Sequence, residues 1–353
     1  MTQAQRAAGD ESAALLDFPL ADPPKPGTVV EVAPGVLWLR MPLPFALDHI
    51  NLWLLRDGKG WAAVDSGIGL EETRALWDRV LADALGGAAL TRLVVTHFHP
   101  DHFGNAHWLM ERFGVRMHMT QGEYLTAHAQ YHGHSGYGGD SVARLFGAHG
   151  LDPDQVASMS ARGNSYRKIV AEPPSEYIRM IDGDELSVGG HGWRVMVGHG
   201  HAPEHASLYC KSLGVVISGD MLLPKISTNV SVWPVDPLGD PLQRFLHSID
   251  AYKQLPSDVL VLPSHGLPFR GAHARVAMLH QHHADRLAEV LEACATPATA
   301  AELLPVLFRR KLDLHQTFFA MGEAIAHLHL LWHKGQLRRV KDADGVIRFG
   351  KSA

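Results

Sequence analysis

Residues 90–104, LTRLVVTHFHPDHFG, join a predicted buried strand to a predicted helix and contain four potential metal ligands: His97, His99, Asp101 and His102. The end of a strand is a rigid place from which closely spaced side chains can converge on a metal ion. Three imidazoles and one carboxylate within six residues are too many ligands for one tetrahedral zinc ion bound by a single loop. The alternative is a polar surface loop that contains histidines by chance. The flanking strand and helix favour the metal site, because ligand sites of α/β proteins lie at such strand ends.

Three later segments also pass from an apolar strand to a potential ligand. Residues 195–201 (VMVGHGH) end at His201, residues 214–220 (GVVISGD) end at Asp220, and residues 259–265 (VLVLPSH) end at His265. Asp220 is a carboxylate, which can bridge two metal ions. We therefore expect one edge of a sheet to present all seven side chains to a pair of ions.

The order of predicted elements divides the chain into regions. Residues 1–27 are Ala-rich and then broken by prolines, which predicts a mobile N-terminal arm. Strands and helices alternate through residues 28–270, as is typical of a layered α/β domain. Residues 120–175 interrupt this alternation with a Gly-rich stretch at 131–139, and we expect an insertion there that acts as a lid over the site.

Residues 271–353 predict a small winged-helix-like domain of three helices and a hairpin. The first helix is expected over 272–294, and the second opens at Thr296 with Pro297 in its first turn. The third begins near Asp313, with Gln316 completing a capping box, and the hairpin turns at 344–345. Three histidines of the first helix are expected on its solvated face: His280, His282 and His283.

Composition excludes several classes of protein. The 353 residues are 46% hydrophobic and 20% charged, which is ordinary for a globular protein, and the net charge of −5 is not that of a typical nucleic-acid binder. Two cysteines cannot form a disulfide framework, so we expect a cytoplasmic protein. The chain lacks the roughly 18 consecutive apolar residues of a membrane span. Histidine is unusually frequent, with 24 residues, and it is the commonest metal ligand.

The motifs resemble those of a known family. T-H-x-H-x-D-H at 96–102, G-H-x-P-x-H at 200–205, G-D at 219–220 and S-H-G at 264–266 are similar to the metallo-β-lactamase superfamily over residues 30–270. The resemblance implies a four-layer αββα sandwich with its metal site at the sheet edges. The C-terminal region is similar, more weakly, to the winged-helix-like appendage of one hydrolase branch.

The resemblance also implies roles for particular residues. One metal ion would be held by His97, His99 and His201. The second would be held by Asp101, His102 and His265, with Asp220 bridging the two. Zinc is the expected metal, with iron and manganese as alternatives. Asp65 and His205 would stand behind the ligands and orient them.

Other residues are candidates for substrate contact. They lie in the Gly-rich insertion or in the segment after Asp220, and a purely structural loop explains each set nearly as well. These candidates are Tyr131, His132, His134, Tyr137, Lys225, Asn229 and Trp233.

Departures from relatives narrow the expected reaction. True β-lactamases of the superfamily lack the bridging aspartate, and its di-iron oxygen reductases place a glutamate where this chain has His99. The remaining function is a binuclear hydrolase in which a metal-bridging hydroxide cleaves an ester, thioester or lactone, with Asp101 and Asp220 as catalytic residues. The rival is a phosphodiesterase or ribonuclease of the same fold. A further alternative is that the C-terminal region chiefly supports a homodimer.

The third C-terminal helix predicts no recognition of nucleic acid. A helix that reads DNA carries Arg, Lys, Asn or Gln on its exposed face, but residues 315–334 contain one lysine, at the end. We therefore expect no detectable binding to duplex DNA or structured RNA near physiological salt in a fluorescence-anisotropy titration. A low-salt titration is the control, because residues 309–311 (RRK) can attract phosphate weakly there. Sub-micromolar, sequence-dependent binding at physiological salt would contradict this prediction.

Overall fold

The computed structural model describes residues 15–134 and 136–352, and it contains two β-sheets packed face to face. The first sheet has seven strands in chain order, antiparallel up to β4 and parallel from there on. These strands are β1 (Val29–Ala33), β2 (Val36–Pro42), β3 (His49–Asp57), β4 (Gly60–Val64), β5 (Leu90–Val94), β6 (Met117–Thr120) and β7 (Ile178–Met180).

The second sheet has five strands, in the spatial order β12-β11-β10-β9-β8. All of its neighbours are antiparallel except β11 and β12, which are parallel. Its strands are β8 (Glu185–Val188), β9 (His191–Gly198), β10 (His205–Cys210), β11 (Val215–Gly219) and β12 (Leu260–Pro263).

The alternation of side chains along β3 shows how the layers are built. Trp53 and Leu55 pack between the two sheets, whereas Leu52 and Leu54 pack beneath outer helices of the first sheet. Successive strand residues point to opposite faces, so a strand buried on both faces is apolar throughout. The outer helices on this side are α1 (Glu71–Arg79), α2 (Pro100–Phe103) and α3 (Ala106–Phe113), and a π-helical turn at Val80–Ala84 extends α1.

The insertion is helical where the sequence is weakly patterned. Its helices are α4 (Gln121–His132), α5 (Gly139–Ala148) and α6 (Pro153–Ala161), followed by a 3₁₀ turn at Tyr166–Lys168. Asp152 caps α6 by accepting hydrogen bonds from two backbone N–H groups of its first turn. That this segment acts as a lid stays a prediction.

The outer layer on the second sheet joins the C-terminal helices in one apolar core. Val216 and Val261 of the sheet share this core with Phe245, Val276 and other residues of the helices. The helices are α7 (Pro241–Ile249), with a 3₁₀ turn at Asp250–Gln254, α8 (Ala272–Ala293), α9 (Leu304–Leu307) and α10 (Leu314–His333). A hairpin of β13 (Leu337–Lys341) and β14 (Ile347–Lys351) follows. The four-layer α/β sandwich and the C-terminal helical region are thus confirmed.

The C-terminal helices differ from the prediction in two details. The capping box of Asp313 and Gln316 is present, but the second helix does not begin at Thr296. Thr299 and Glu302 instead exchange hydrogen bonds, and only the single turn α9 follows. We expected His283 on a solvated face, but it is buried. The reason is that α10 packs over it, with Nε2 of His327 at 3.2 Å from Nδ1 of His283.

The predicted mobile arm is only partly described, since residues 1–14 lie outside the described residues. Asp17 and Arg270 exchange backbone hydrogen bonds, Leu16 is buried, and the ring of Phe18 lies 6.4 Å from that of Phe269. Residues 16–18 are therefore attached to the domain and do not form a free arm. They are held there because the side chains of Leu16 and Phe18 pack against it. Among the described residues, every helix is too short or too polar to cross a bilayer.

Candidate metal centre

Seven predicted ligands converge at the ends of strands. His97 and His99 follow β5, Asp101 and His102 lie on α2, and His201, Asp220 and His265 follow β9, β11 and β12. They form two groups, and within each group the ligand atoms lie within 4.8 Å of one another. We call His97, His99 and His201, with Asp220, the first ligand group, and Asp101, His102 and His265 the second.

The three imidazoles of the first ligand group face one another. Nε2 of His97 lies 2.9 Å from Nδ1 of His99 and 3.2 Å from Nε2 of His201. Burial, followed by the neighbouring imidazoles, lowers the pKa of His97 well below its ordinary value, and burial with His201 lowers the pKa of His99 to about 3. These rings are therefore neutral at pH 7, as metal ligands must be.

The second ligand group pairs imidazoles with carboxylates. Nε2 of His265 lies 3.4 Å from both Asp101 Oδ2 and Asp220 Oδ1, and Nε2 of His102 lies 3.6 and 3.5 Å from the same two atoms. Burial alone would lower the pKa of His265, but the carboxylates outweigh it and raise that pKa to about 10. Without a cation, these carboxylates hold protons on the rings, and a metal ion would replace those protons.

Asp220 faces both groups with different oxygens. Its Oδ2 lies 3.5 Å from Nε2 of His201, while its Oδ1 faces His102 and His265. This is the arrangement expected of a carboxylate that bridges two ions.

The residues present fit divalent ions. Asp220 Oδ1 and His102 Nε2 are buried and have no hydrogen-bond partner among the described residues. Ligands about 2.0–2.1 Å from a tetrahedral ion are separated by roughly 3.4 Å, which matches the distances of 3.4–3.6 Å in the second group. The cluster is therefore suited to binding metal ions.

Hydrogen bonds from Nδ1–H of three ligand histidines determine that their Nε2 atoms face the site. Nδ1–H of His102 donates to Asp65 Oδ2, Nδ1–H of His201 donates to the carbonyl of Asn229, and Nδ1–H of His265 donates to the carbonyl of His49, each at 2.8 Å. Each bond leaves Nε2 free to bind a metal ion.

Asp65 and His205 lie where the orienting role requires. Asp65 also accepts a hydrogen bond from the backbone N–H of Thr96 (2.8 Å), and it adopts a positive φ of 65°, which is uncommon outside glycine. Nε2 of His205 accepts a hydrogen bond from the backbone N–H of Asp220 (3.1 Å). A side chain at Gly219 would collide with the His205 ring, so glycine is required next to the bridging aspartate.

Two buried residues that support the first group were missed by sequence reasoning. Glu123, at the start of α4, accepts hydrogen bonds from the backbone N–H groups of Phe98 (3.0 Å) and Glu204 (2.6 Å). Tyr166 donates to the carbonyl of Phe98 (2.6 Å), so both backbone polar groups of the residue between His97 and His99 are held. The sequence carried no signal for either residue, because burial and hydrogen bonds to backbone groups leave no pattern in it.

The candidate substrate contacts divide into two sets. Asn229 and Trp233 lie on the segment beside the site, where the Asn229 carbonyl holds His201 and the Trp233 ring packs on Phe318. The second set, among the described residues, makes neither a hydrogen bond nor a ring contact with the seven ligands. It consists of Tyr131, His132, His134, Tyr137 and Lys225, of which His132 and His134 are exposed.

Comparison with known proteins identifies close relatives. The family model described as "Metallo-beta-lactamase superfamily" matches residues 46–265, and "Metallo-beta-lactamase-like, C-terminal domain" matches residues 287–352. A crystal structure of a beta-lactamase domain protein from Burkholderia ambifaria superposes with a TM-score of 0.91 and 47% identity, covering 97% of this chain and 100% of that one.

Curated relatives are more distant. A probable metallo-hydrolase, YqjP of Bacillus subtilis (strain 168), is 25% identical over 84% of this chain and 92% of its own length. The acyl-coenzyme A thioesterase MBLAC2 of Bos taurus is 24% identical over 53% of this chain and 63% of its own length.

The position of Glu123 predicts a selective loss of metal affinity in Glu123→Gln. Glutamine keeps the size, but its NH₂ group cannot accept from one of the two backbone N–H groups, so one ligand loop loses its anchor. We expect the first ligand group to lose about 10–100-fold in affinity, as is common for residues behind metal ligands, with a smaller change in the second. Competition with a fluorescent chelator measures both affinities.

The exposed Glu111 on α3 offers a matched control, since its carboxylate forms a single ion pair among the described residues, with His107 at 3.5 Å. Glu111→Gln should leave both affinities at the wild-type values. Two unchanged metal affinities in Glu123→Gln would contradict the role assigned to Glu123.

Proposed function

This chain is a hydrolase of the metallo-β-lactamase superfamily, and we propose that it uses two metal ions to cleave an ester, thioester or lactone of a small molecule. The observation that carries the proposal is the carboxylate of Asp220, whose two oxygens face different ligand groups. A single-ion site would not need a buried carboxylate placed between two separate sets of ligands. We propose zinc as the native metal, because imidazole and carboxylate ligands suit it.

Two divalent ions held by these groups would lower the pKa of a shared water and polarise the carbonyl oxygen of the substrate. The chain's own residues then have defined tasks. Asp220 holds the two groups in register, and Asp65 keeps the His102 ring oriented through its Nδ1–H. The carboxylate of Asp101 is more exposed than that of Asp220, at 18% against 11%, so it is placed to accept the proton of the attacking water and to pass it to the leaving group.

Charge favours a small substrate over a polynucleotide. Residues 271–353 contain eleven Lys or Arg and eight Asp or Glu, a net of +3, which leaves −8 on residues 1–270. A polyanion would have to approach an acidic catalytic domain, and phosphate binding usually relies on basic residues. The relative named as an acyl-coenzyme A thioesterase supports the thioester alternative. A phosphodiesterase or ribonuclease is the rival.

The decisive experiment combines metal analysis with a substrate panel. We expect two metal ions per chain after reconstitution with zinc, loss of activity with a strong chelator, and turnover of a thioester, ester or lactone ahead of a phosphodiester or RNA. Inductively coupled plasma mass spectrometry gives the metal content, and initial rates give the order of substrates. One ion or fewer per chain, or turnover of RNA alone, would refute the proposal.

The bridging role of Asp220 predicts a specific defect in Asp220→Asn. An amide has one acceptor oxygen and an NH₂ group that cannot bind a cation, so it can serve one ligand group but not both. We expect metal content to fall towards one ion per chain and kcat to fall about a hundredfold or more, on the scale of losing one preorganised electrostatic contact.

Asp236→Asn is the matched control, because Asp236 lies on the same segment and pairs with Arg244 at the surface. It should retain both ions and most of the activity. An Asp220→Asn protein that did the same would show that Asp220 does not bridge.

A further inference from the structure

A continuous row of aromatic rings joins α10 to two loops of the sandwich. It runs from Phe45 to His315 (5.7 Å between ring centroids), on to Phe319 (5.1 Å), to Phe318 (5.3 Å) and to Trp233 (5.8 Å). The three middle rings belong to α10, in the C-terminal region. Phe45 and Trp233 belong to loops of the sandwich on either side.

Both ends of this row lie on loops that hold metal ligands. Phe45 precedes His49 by four residues, and the carbonyl of His49 holds His265 of the second ligand group. Trp233 follows Asn229 by four residues, and the carbonyl of Asn229 holds His201 of the first ligand group. The rings therefore connect the two loops whose carbonyl groups hold His265 and His201.

Apolar side chains near the row are unusually exposed. Phe45 and Phe319 are each 39% exposed, and Ile226 and Val235, on the segment that carries Trp233, are 47% and 45% exposed. Contiguous apolar surface beside a polar site is typical of a ligand-binding surface. The surface is therefore placed to bind an apolar part of a substrate whose reacting bond lies at the metal ions.

We propose that the first turns of α10 form an apolar wall of the active site, and that this wall binds the hydrocarbon chain of an acyl ester or thioester. The inference rests on the proposed hydrolase function and narrows it to substrates with an extended acyl group. It also gives the C-terminal region a part in substrate selection, beyond its packing against the sandwich.

The area available favours an acyl chain over a protein partner. The four exposed side chains offer roughly 350 Å² in total, taking about 200 Å² for each large side chain. A stable protein interface buries about 800 Å² on each partner. An acyl chain of six to eight carbons needs no more than the wall provides.

A chain-length series tests the wall directly. The substrates are the acetyl, butyryl, hexanoyl and octanoyl thioesters of N-acetylcysteamine, assayed with the zinc-loaded protein. Full burial of one methylene would raise kcat/KM about fourfold, so a wall that covers half of each methylene should raise it about twofold per methylene, or roughly 60-fold from acetyl to octanoyl. Phe319→Ala and Phe45→Ala should flatten this dependence, with losses that grow with chain length.

Val340→Ala and Ile181→Ala are matched controls, since these residues are similarly exposed (49% and 51%) but lie on β13 and just after β7. Both should keep the wild-type dependence. The proposal would be overturned if kcat/KM depended on chain length in Phe319→Ala and Phe45→Ala as it does in the wild type. It would also be overturned if these variants lost the same factor in kcat/KM at every chain length. A wild-type dimer that dissociates in Phe319→Ala with its chain-length dependence intact would overturn it too, because the surface would then serve self-association.

Direct binding separates this proposal from the proposed function. Isothermal titration calorimetry with the uncleavable S-octyl and S-ethyl thioethers of N-acetylcysteamine requires no turnover. Tighter binding of the octyl compound, lost in Phe319→Ala, supports the wall even if every thioester is inert. In that case only the proposed cleavage of thioesters fails. Equal binding of the two compounds to the wild-type protein would overturn the wall itself.

Discussion

The carboxylate of Asp220 is the constraint on which the arrangement of the site depends. It is buried among imidazoles of both ligand groups, and each of its oxygens faces a different group. Burial raises the cost of charge at this position, and the histidines lower the pKa of Asp220 well below its ordinary value in spite of it. Every other ligand must therefore be held in register with one side chain at the end of β11.

The sandwich meets this requirement through backbone contacts. The carbonyl groups of His49 and Asn229 hold two of the ligand rings, and the backbone N–H of Asp220 is held by His205. Main-chain atoms at the ends of packed strands move less than free side chains, so they are suitable anchors. Glu123 extends the same principle to the insertion, because it ties the start of α4 to the loops of His97 and His201.

The C-terminal region is continuous with this arrangement. Its helix α10 is buried along most of its length and shares a core with the second sheet, yet its first turns expose Phe319 and His315, and His315 stacks on Phe45. A helix so apolar must be covered on more than one side. Packing accounts for its buried residues but not for the exposed rings of His315 and Phe319.

Local sequence determined the class of fold and pointed to the candidate ligands. His97, His201 and the other candidate ligands lie within a few residues of the end of a strand-like run, and strands that run in the same direction bring their carboxyl ends to one edge. The capping box at Asp313 was also predictable, because its partner is three residues away.

Only the tertiary structure decided the contacts between distant segments. Glu123 binds the backbone of Phe98 and Glu204, which are 25 and 81 residues away, and backbone N–H groups leave no pattern in a sequence. His283 seemed to belong to a polar face, but α10 covers it and supplies His327 as its partner. Periodicity describes one helix at a time, whereas burial depends on what packs against that helix.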